Sequence, residues 1–362
     1  MASLRHIRRR IKFTQSTQQI VRAMQLVSAS KLKRTQDRLL QARLVAGYLS
    51  ELVARIGATQ PIAHPLCERR EGGPTALIVI TSDAGLSGAY NANVIHLADA
   101  HLQVDRAAWS PRGKPEAPLR RPSILRQAQD RGERPRGAEP TTRLRLAQDD
   151  PSTPRRHPES FGSAQDSALS EVERAEQESP AKAGARVEGS MSLVLIGKKG
   201  FRYFSKRGAP IVSSHVDLAG RPNPERTQAI ASSLIDAFLA KQFSTVQIAY
   251  TRFISAAVSR PAVEPWLPLP VPEPSGGVEY IFEPSPARVL NDVVPRLALA
   301  MFQQRVLEAF TSEHGARMVA MKNATDNAEE LLGALTLVRN KVRQAAITKE
   351  LSEIVGTAEA LK

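Results

Sequence analysis

Cysteine is almost missing from this chain. Cys67 stands alone, so no internal disulfide can form and no zinc site built only from cysteines is available. Histidine is sparse too. The seven residues are scattered singly, without the HExxH or paired spacing that a metal ion requires. Aromatic side chains make up 5% of the chain, so its core must be mostly aliphatic. No apolar run approaches the roughly 18 residues needed to cross a bilayer. The basic start, "MASLRHIRRRIK", is not followed by the apolar stretch of a signal peptide. No Ser/His/Asp set and no carboxylate pair stands out. The expectation is a soluble, non-catalytic protein of a reducing compartment, with neither metal nor cofactor.

What the chain does have is charge, and the charge is unevenly placed. Residues 1–57 carry twelve Lys and Arg against only Asp37 and Glu51. Such a surface suits nucleic acid, anionic lipid or an acidic protein face. The same stretch lacks proline, and steps of three and four pick out Leu4, Ile7, Ile11, Thr14, Gln18, Val21, Gln25, Ser28, Leu32, Thr35, Leu39, Ala42, Ala46, Leu49, Val53 and Ile56. That is the seam of a coiled-coil helix, apolar at its ends and polar or small in its middle. At 1.5 Å per residue it spans roughly 80 Å, too long to hide in a compact domain.

A second seam occupies the other end. Ser285 followed by Pro286 reads as a helix cap with proline at the first position. From Leu297 the seam runs through Ala300, Gln304, Leu307, Thr311, His314, Met318, Met321, Thr325, Ala328, Leu332 and Leu335. It then slips by a three-residue step to Val338, Val342 and Ala345, as a stammer would. His314, Met318 and Met321 read as packing residues of the seam. The C-terminal helix exceeds its partner by about ten residues, or roughly 15 Å.

Between the ends, "TALIVIT" and "MSLVLIG" are short buried-type strands. "KKGFRYFSKRG" reads as a short helix, "PIVSSHV" as a strand, and 223–242 as an amphipathic helix capped by Asn223. "STVQIAYTRFIS" and "GVEYIFEP" complete the strands. The loop "SDAGLSGAYN" after the first strand lacks the Lys of a phosphate loop and the third glycine of a dinucleotide fingerprint. A tight strand-to-helix turn is the better reading of it. "GKKG" at 197–200 likewise lacks the glycine spacing of a nucleotide loop. Residues 103–190 differ in kind. They hold ten of the 25 prolines, dense balanced charge, no apolar period, and a degenerate element, "RQAQDRG", "RLAQDDP" and "GSAQDSA". This segment reads as a disordered insertion.

The predicted architecture is therefore an α/β fold of unusual outline. Helices 1–57 and 285–362 pair as a long antiparallel two-helix coiled coil. A small Rossmann-like α/β domain, 58–102 and 191–284, lies between them and is interrupted by 103–190.

Both ends also match known patterns. "IRRRIKFTQSTQQIVRAMQLVSASKLKRTQ" and "SEHGARMVAMKNATDNAEELLGALTLVRNKVRQAAITKELSEIVG" closely resemble the gamma subunit of F-type ATP synthase, and "SDAGLSGAYNANV" is similar to the loop of that family's middle domain. The resemblance implies a rotor shaft that threads the hexamer of alpha and beta subunits. Its head would rest with the epsilon subunit on the c-ring, peripheral to the cytoplasmic face of the membrane. By resemblance, Arg317, Gln344 and Thr348 make polar contacts to a beta-subunit loop, with Arg343 beside them. Met24 and Lys31 lie near a lower beta contact. The chemistry would reside on other subunits. The family's loop often reads "SDRGLCGG"; here Ala84 and Ser87 replace its charged and thiol positions. The insertion is foreign to the family's usual pattern, and it lacks the cysteine pair of the plastid regulatory insertion. A basic coiled coil that binds nucleic acid or serves as a scaffold is the alternative reading.

Overall fold

The computed structural model describes residues 4–59, 61–70, 72–108, 191–216, 218, 223–270, 282–283 and 285–360. The expected insertion lies outside these residues, except for its first six. Two long helices bracket the chain, α1 (Leu4–Thr59) at the start and α5 (Pro286–Ala360) at the end. Between them come β1 (Thr75–Ile80), α2 (Tyr90–Ala108), β2 (Met191–Ile196), α3 (Lys198–Ser205), β3 (Ile211–His215), α4 (Pro224–Leu239), β4 (Thr245–Phe253) and β5 (Ser259–Leu267).

The strands form one sheet in the order β3-β2-β1-β4-β5. The first four are mutually parallel, and β5 pairs antiparallel to β4 at the edge. β1 sits at the centre with helices on both faces, which is why its sequence is a continuous apolar run. Its side chains divide between two cores. Ala76, Ile78 and Ile80 face a core shared with α4, the end of α1 and the start of α5. Leu77 and Val79 face the core under α2 and α3. The bases of both long helices are thus one layer of the head.

Local rules explain the boundaries. Asn223 accepts from the backbone N–H of Glu225 and Arg226, at 3.0 and 3.3 Å, and Pro224 opens α4. The Ser285 hydroxyl accepts from Arg288 N, and Pro286 starts α5, which continues through Pro295. α2 runs to Ala108, six residues beyond the boundary expected at 102.

The long helices pack antiparallel. Ile7 and Ile11 meet Leu332, Leu335 and Val342, while Leu32 and Leu39 lie with Leu307 and Met318. Every seam residue expected on α1 is buried or half-buried. The middle of the seam is polar yet makes few demands on its partner. Thr14, Ser28 and Thr35 donate to carbonyls four residues back in their own helix, at 3.0, 2.8 and 3.1 Å. Thr311 and Thr325 do the same on α5, at 2.6 and 2.9 Å. These hydroxyls present a small, satisfied surface across the interface.

Three expectations need correction. The stammer does not occur: Val338 is 47% exposed, and Arg339 holds the regular four-residue step half-buried. The long stem of Arg can cover apolar surface while its head reaches water, so the seam keeps its phase. Among the described residues the last strand is β5, which the sequence hid behind Pro261 and Pro265; residues 277–281 and 284 of the expected strand lie outside those described, and Phe282 and Glu283 are not in a strand. An edge position tolerates proline, because a missing N–H there costs no ladder bond on the open side. Finally, the unpaired end is longer than expected, since every residue from Arg343 to Ala358 is exposed.

Candidate functional site

Two regions hold the residues singled out above: the junction of head and shaft, and the free end of α5. The junction is built where the sheet changes direction. β1 and β4 are neighbours, but the chain leaves β1 toward β2 and β3 and returns to β4 on the other side. In open α/β sheets the crevice outside the strand ends at such a switch point is where ligands bind. Here α5 fills it. Ser312 Oγ donates to Thr251 O of β4 at 3.0 Å, and Tyr90 Oη donates to Ala309 O at 2.9 Å. Arg317 Nε donates to Gly85 O at 3.2 Å.

The loop itself is tied down from within. Ser82 N donates to Asn91 Oδ1 at 2.9 Å, Ser82 Oγ to Ala84 O at 2.6 Å, and Asn91 Nδ2 to Ser87 Oγ at 3.3 Å. The start of α3 offers no seat for a phosphate. Lys198 N donates to Asp83 Oδ1, Lys199 N to Ser82 O and Gly200 N to Thr81 Oγ1, at 2.9, 3.1 and 2.9 Å. The donors that bind anions at helix N-termini are already engaged by the residues just after β1. The tight-turn reading of "SDAGLSG" is therefore the one its hydrogen bonds fit. Among the described residues no His, Cys, Asp or Glu cluster could hold a metal ion.

Arg317 sits inside this junction. It is buried, and its Nη2 donates to Glu313 Oε1 at 2.6 Å while Nη1 lies 3.4 Å from His314 Nδ1. Burial raises the Glu313 carboxyl above its ordinary range, against the opposing pull of Arg317. Burial and the nearby Glu313 hold the Tyr90 phenol well above its usual value, so it stays a neutral donor. Lys31, half-buried on α1, also pulls the Glu313 carboxyl down, less than Arg317 does. Met24 is half-buried two turns away on α1.

Arg343, Gln344 and Thr348 lie at the other end of the shaft, all exposed. Thr348 Oγ1 donates to Gln344 O at 3.0 Å, which leaves its lone pairs to accept from outside. The sequence did not point to Ser312, Glu313, Tyr90 or Gly85 as junction residues. The pair Glu313 and Arg317, four apart on a helix, was the available signal.

The outer faces of the shaft are less polar than expected. Phe13, Ile20, Leu26, Leu44 and Tyr48 on α1 are more than half exposed, as are Leu351, Ile354 and Val355 on α5. One helix can bury only one stripe against its partner, so these side chains form surface that another protein could cover.

The sequence model of the family described as ATP synthase matches residues 3–115 and 162–361. The ATP synthase gamma chain of Symbiobacterium thermophilum is 36% identical over 362 residues, covering 98% of this chain and 97% of the relative. That of Moorella thermoacetica is 34% identical over 364 residues, covering 100% of each. The chain belongs to the ATP synthase gamma chain family. The fold agrees: a chain of the Euglena gracilis mitochondrial ATP synthase, solved by cryo-EM as OSCP/F1/c-ring in rotational state 3, superimposes with a TM-score of 0.51 at 16% identity, covering 99% of this chain and 94% of that one. The nucleic-acid reading of the basic helix finds no support among these gamma chains. Residues 116–161, inside the expected insertion, fall outside the family match. Among the described residues no helix is long and apolar enough to cross a membrane.

Proposed function

We propose that this chain is the rotor shaft of the F1 part of a proton-translocating ATP synthase, one copy per complex. The coiled coil turns inside a hexamer of alpha and beta subunits. The head stands with the epsilon subunit on the c-ring, which supplies its only membrane contact, at the cytoplasmic face of the cell membrane. Proton flow turns ring and shaft, and the shaft presses each beta subunit in turn through open and closed states.

The observation that carries this reading, beyond membership of the gamma chain family, is the asymmetry of the shaft. Residues 1–57 hold twelve basic and two acidic side chains, whereas residues 285–362 hold ten and nine. Arg5, Arg8, Arg9, Arg10, Lys12, Arg22, Lys33, Arg34 and Arg38 are all exposed on α1. A turning shaft of this kind offers each surrounding subunit first a basic face and then a nearly neutral one. That is how one rotor can impose different states on identical partners.

Met24 and Lys31 serve the lower contact with beta, and Arg343, Gln344 and Thr348 the upper one. Arg317, expected with Gln344 and Thr348 at a beta-subunit loop, is engaged with Gly85 and Glu313 at the head.

The test is assembly with alpha and beta followed by the double change Gln344→Leu and Thr348→Val. Both side chains lie on one helix face, four residues apart. ATP hydrolysis should fall in a graded way, each lost polar contact contributing about 0.5–1.5 kcal/mol, while the chain still assembles. Full activity in the double variant would remove these two residues from the contact.

The insertion allows a second test of the same reading. Joining Ala108 to Met191 through a short flexible linker should leave assembly and ATP hydrolysis within about twofold of the parent, because changing the length of a connection costs little free energy. Loss of assembly would show that the segment is part of the working subunit.

A further inference from the structure

We propose that residues 309–320 of α5 form a torque latch, gripped by the head at the crevice where related sheets hold a ligand. The inference rests on the rotor reading and adds the place at which torque enters the shaft. Three separate pieces of the head hold this stretch. The β1–α2 loop and the start of α2 reach it through Gly85, Gly88 and Tyr90. β4 reaches it through Thr251, and the β4–β5 turn through Ala256.

The grip encircles the helix. With about 100° of turn per residue, and Ala309 at 0°, Ala320, Glu313 and Arg317 lie at about 20°, 40° and 80°. Ser312 and Gly315 lie at about 300° and 240°. Arg317 and Ala320 face the loop: Arg317 Nε bonds Gly85 O at 3.2 Å, and a Cβ on Gly88 would lie 3.9 Å from that of Ala320. Ser312 and Gly315 face the other side. Ser312 bonds Thr251 O, and a Cβ on Gly315 would come 2.9 Å from Ala256 O. Backbone and turn approach that closely only because the residue is glycine. The seam residues Leu307, Thr311, His314 and Met318 occupy about 140–200°, against α1. Head and partner helix together close the ring around α5.

A helix held only along one stripe can roll about its own axis. One held at about 240°, 300°, 0° and 80° cannot roll without breaking hydrogen bonds to a β-strand and a tied loop. The base of α5 is packed in the head core, and residues 309–320 are the last stretch the head grips, so torque on the head passes to the free part of the shaft there. Beyond Met321, among the described residues, the shaft is a pair of helices.

The test uses the whole membrane complex in vesicles, comparing ATP hydrolysis with ATP-driven proton uptake. Tyr90→Phe removes one hydroxyl without changing shape, Ser312→Ala removes another, and Gly315→Ala pushes the turn away. The combined variant should hydrolyse ATP near the parental rate when uncoupled. Its proton uptake per ATP should fall at least about threefold, in line with the loss of two hydrogen bonds at about 0.5–1.5 kcal/mol each. Tyr90→Phe alone should show part of that fall. Replacing Ser312→Ala by Ser312→Thr, which keeps the hydroxyl, should restore most of it. An unchanged ratio in Tyr90→Phe and in the combined variant, with a coupled parent, overturns the latch alone. A proportional fall of both activities means loss of assembly without slippage, and also overturns it. If the parent complex pumps equally well without this chain, the rotor reading fails and the latch with it.

Discussion

Replacing Gly197 with alanine should destabilise the head by more than about 3 kcal/mol, combining a strained backbone with a clash that cannot relax. Gly197 has φ +102°, where a side chain is disfavoured. It also joins β2 to α3 against the end of β1. A Cβ there would lie 2.2 Å from Thr81 O and 2.7 Å from Thr81 C. Those atoms cannot retreat, because Thr81 N donates to Ile196 O at 2.8 Å and Thr81 Oγ1 accepts from Gly200 N at 2.9 Å. Gly208 is the control. Its φ is +62°, but nothing lies within 4 Å of its added Cβ, so Gly208→Ala should cost only about 1 kcal/mol. Urea unfolding of the full chain compares the two. Equal midpoints for both variants would show that the contact at Thr81 O yields.

Trp266→Ala should cost about 3–5 kcal/mol, the usual range for deleting a buried aromatic ring. Trp266 is fully buried on the edge strand β5, its ring centroid 4.9 Å from that of Phe302. Its Nε1 donates to Ala298 O at 3.0 Å. The residue fastens the last strand to the base of α5, so its loss should loosen the shaft's footing as well as the core. Trp266→Phe keeps most of the packing and loses the hydrogen bond, and should cost about 1 kcal/mol from that bond. A thermal midpoint for Trp266→Ala equal to that of Trp266→Phe would mean that the ring contributes little.

Patterns with a regular period were legible in the sequence. The seam of α1 is an instance: sixteen positions chosen by spacing alone are all buried or half-buried. The central strands were legible because burial on both faces leaves a plain apolar run, and Asn223 and Ser285 because capping is local chemistry. Features decided by tertiary context were not. Pro261 and Pro265 argue against a strand until β5 is known to be an edge. Arg317 looks like a surface contact until the loop after β1 folds over it. Val338 looks like a better seam residue than Arg339, but Arg339 keeps the regular step and is the half-buried one. At the free end, the expected ten-residue overhang left Arg343, Gln344 and Thr348 beside the partner helix, whereas all three are exposed.

The uncovered end of α5 carries a consequence for how the subunit is put together. From Arg343 to Ala358 no other helix shields its backbone. An isolated helix of this length is marginal in water, and this one contains Ile347, Thr348, Ile354, Val355, Gly356 and Thr357, all weak helix formers. It persists because the paired portion supplies the nucleus and only propagation remains. Its turns should therefore open from the C-terminal end inward, and their amide hydrogens should exchange faster than any in the seam. A surrounding sleeve of protein would hold those turns closed. Threading the shaft into its hexamer would then also be the completion of its folding, with the last turns zipping up as they enter.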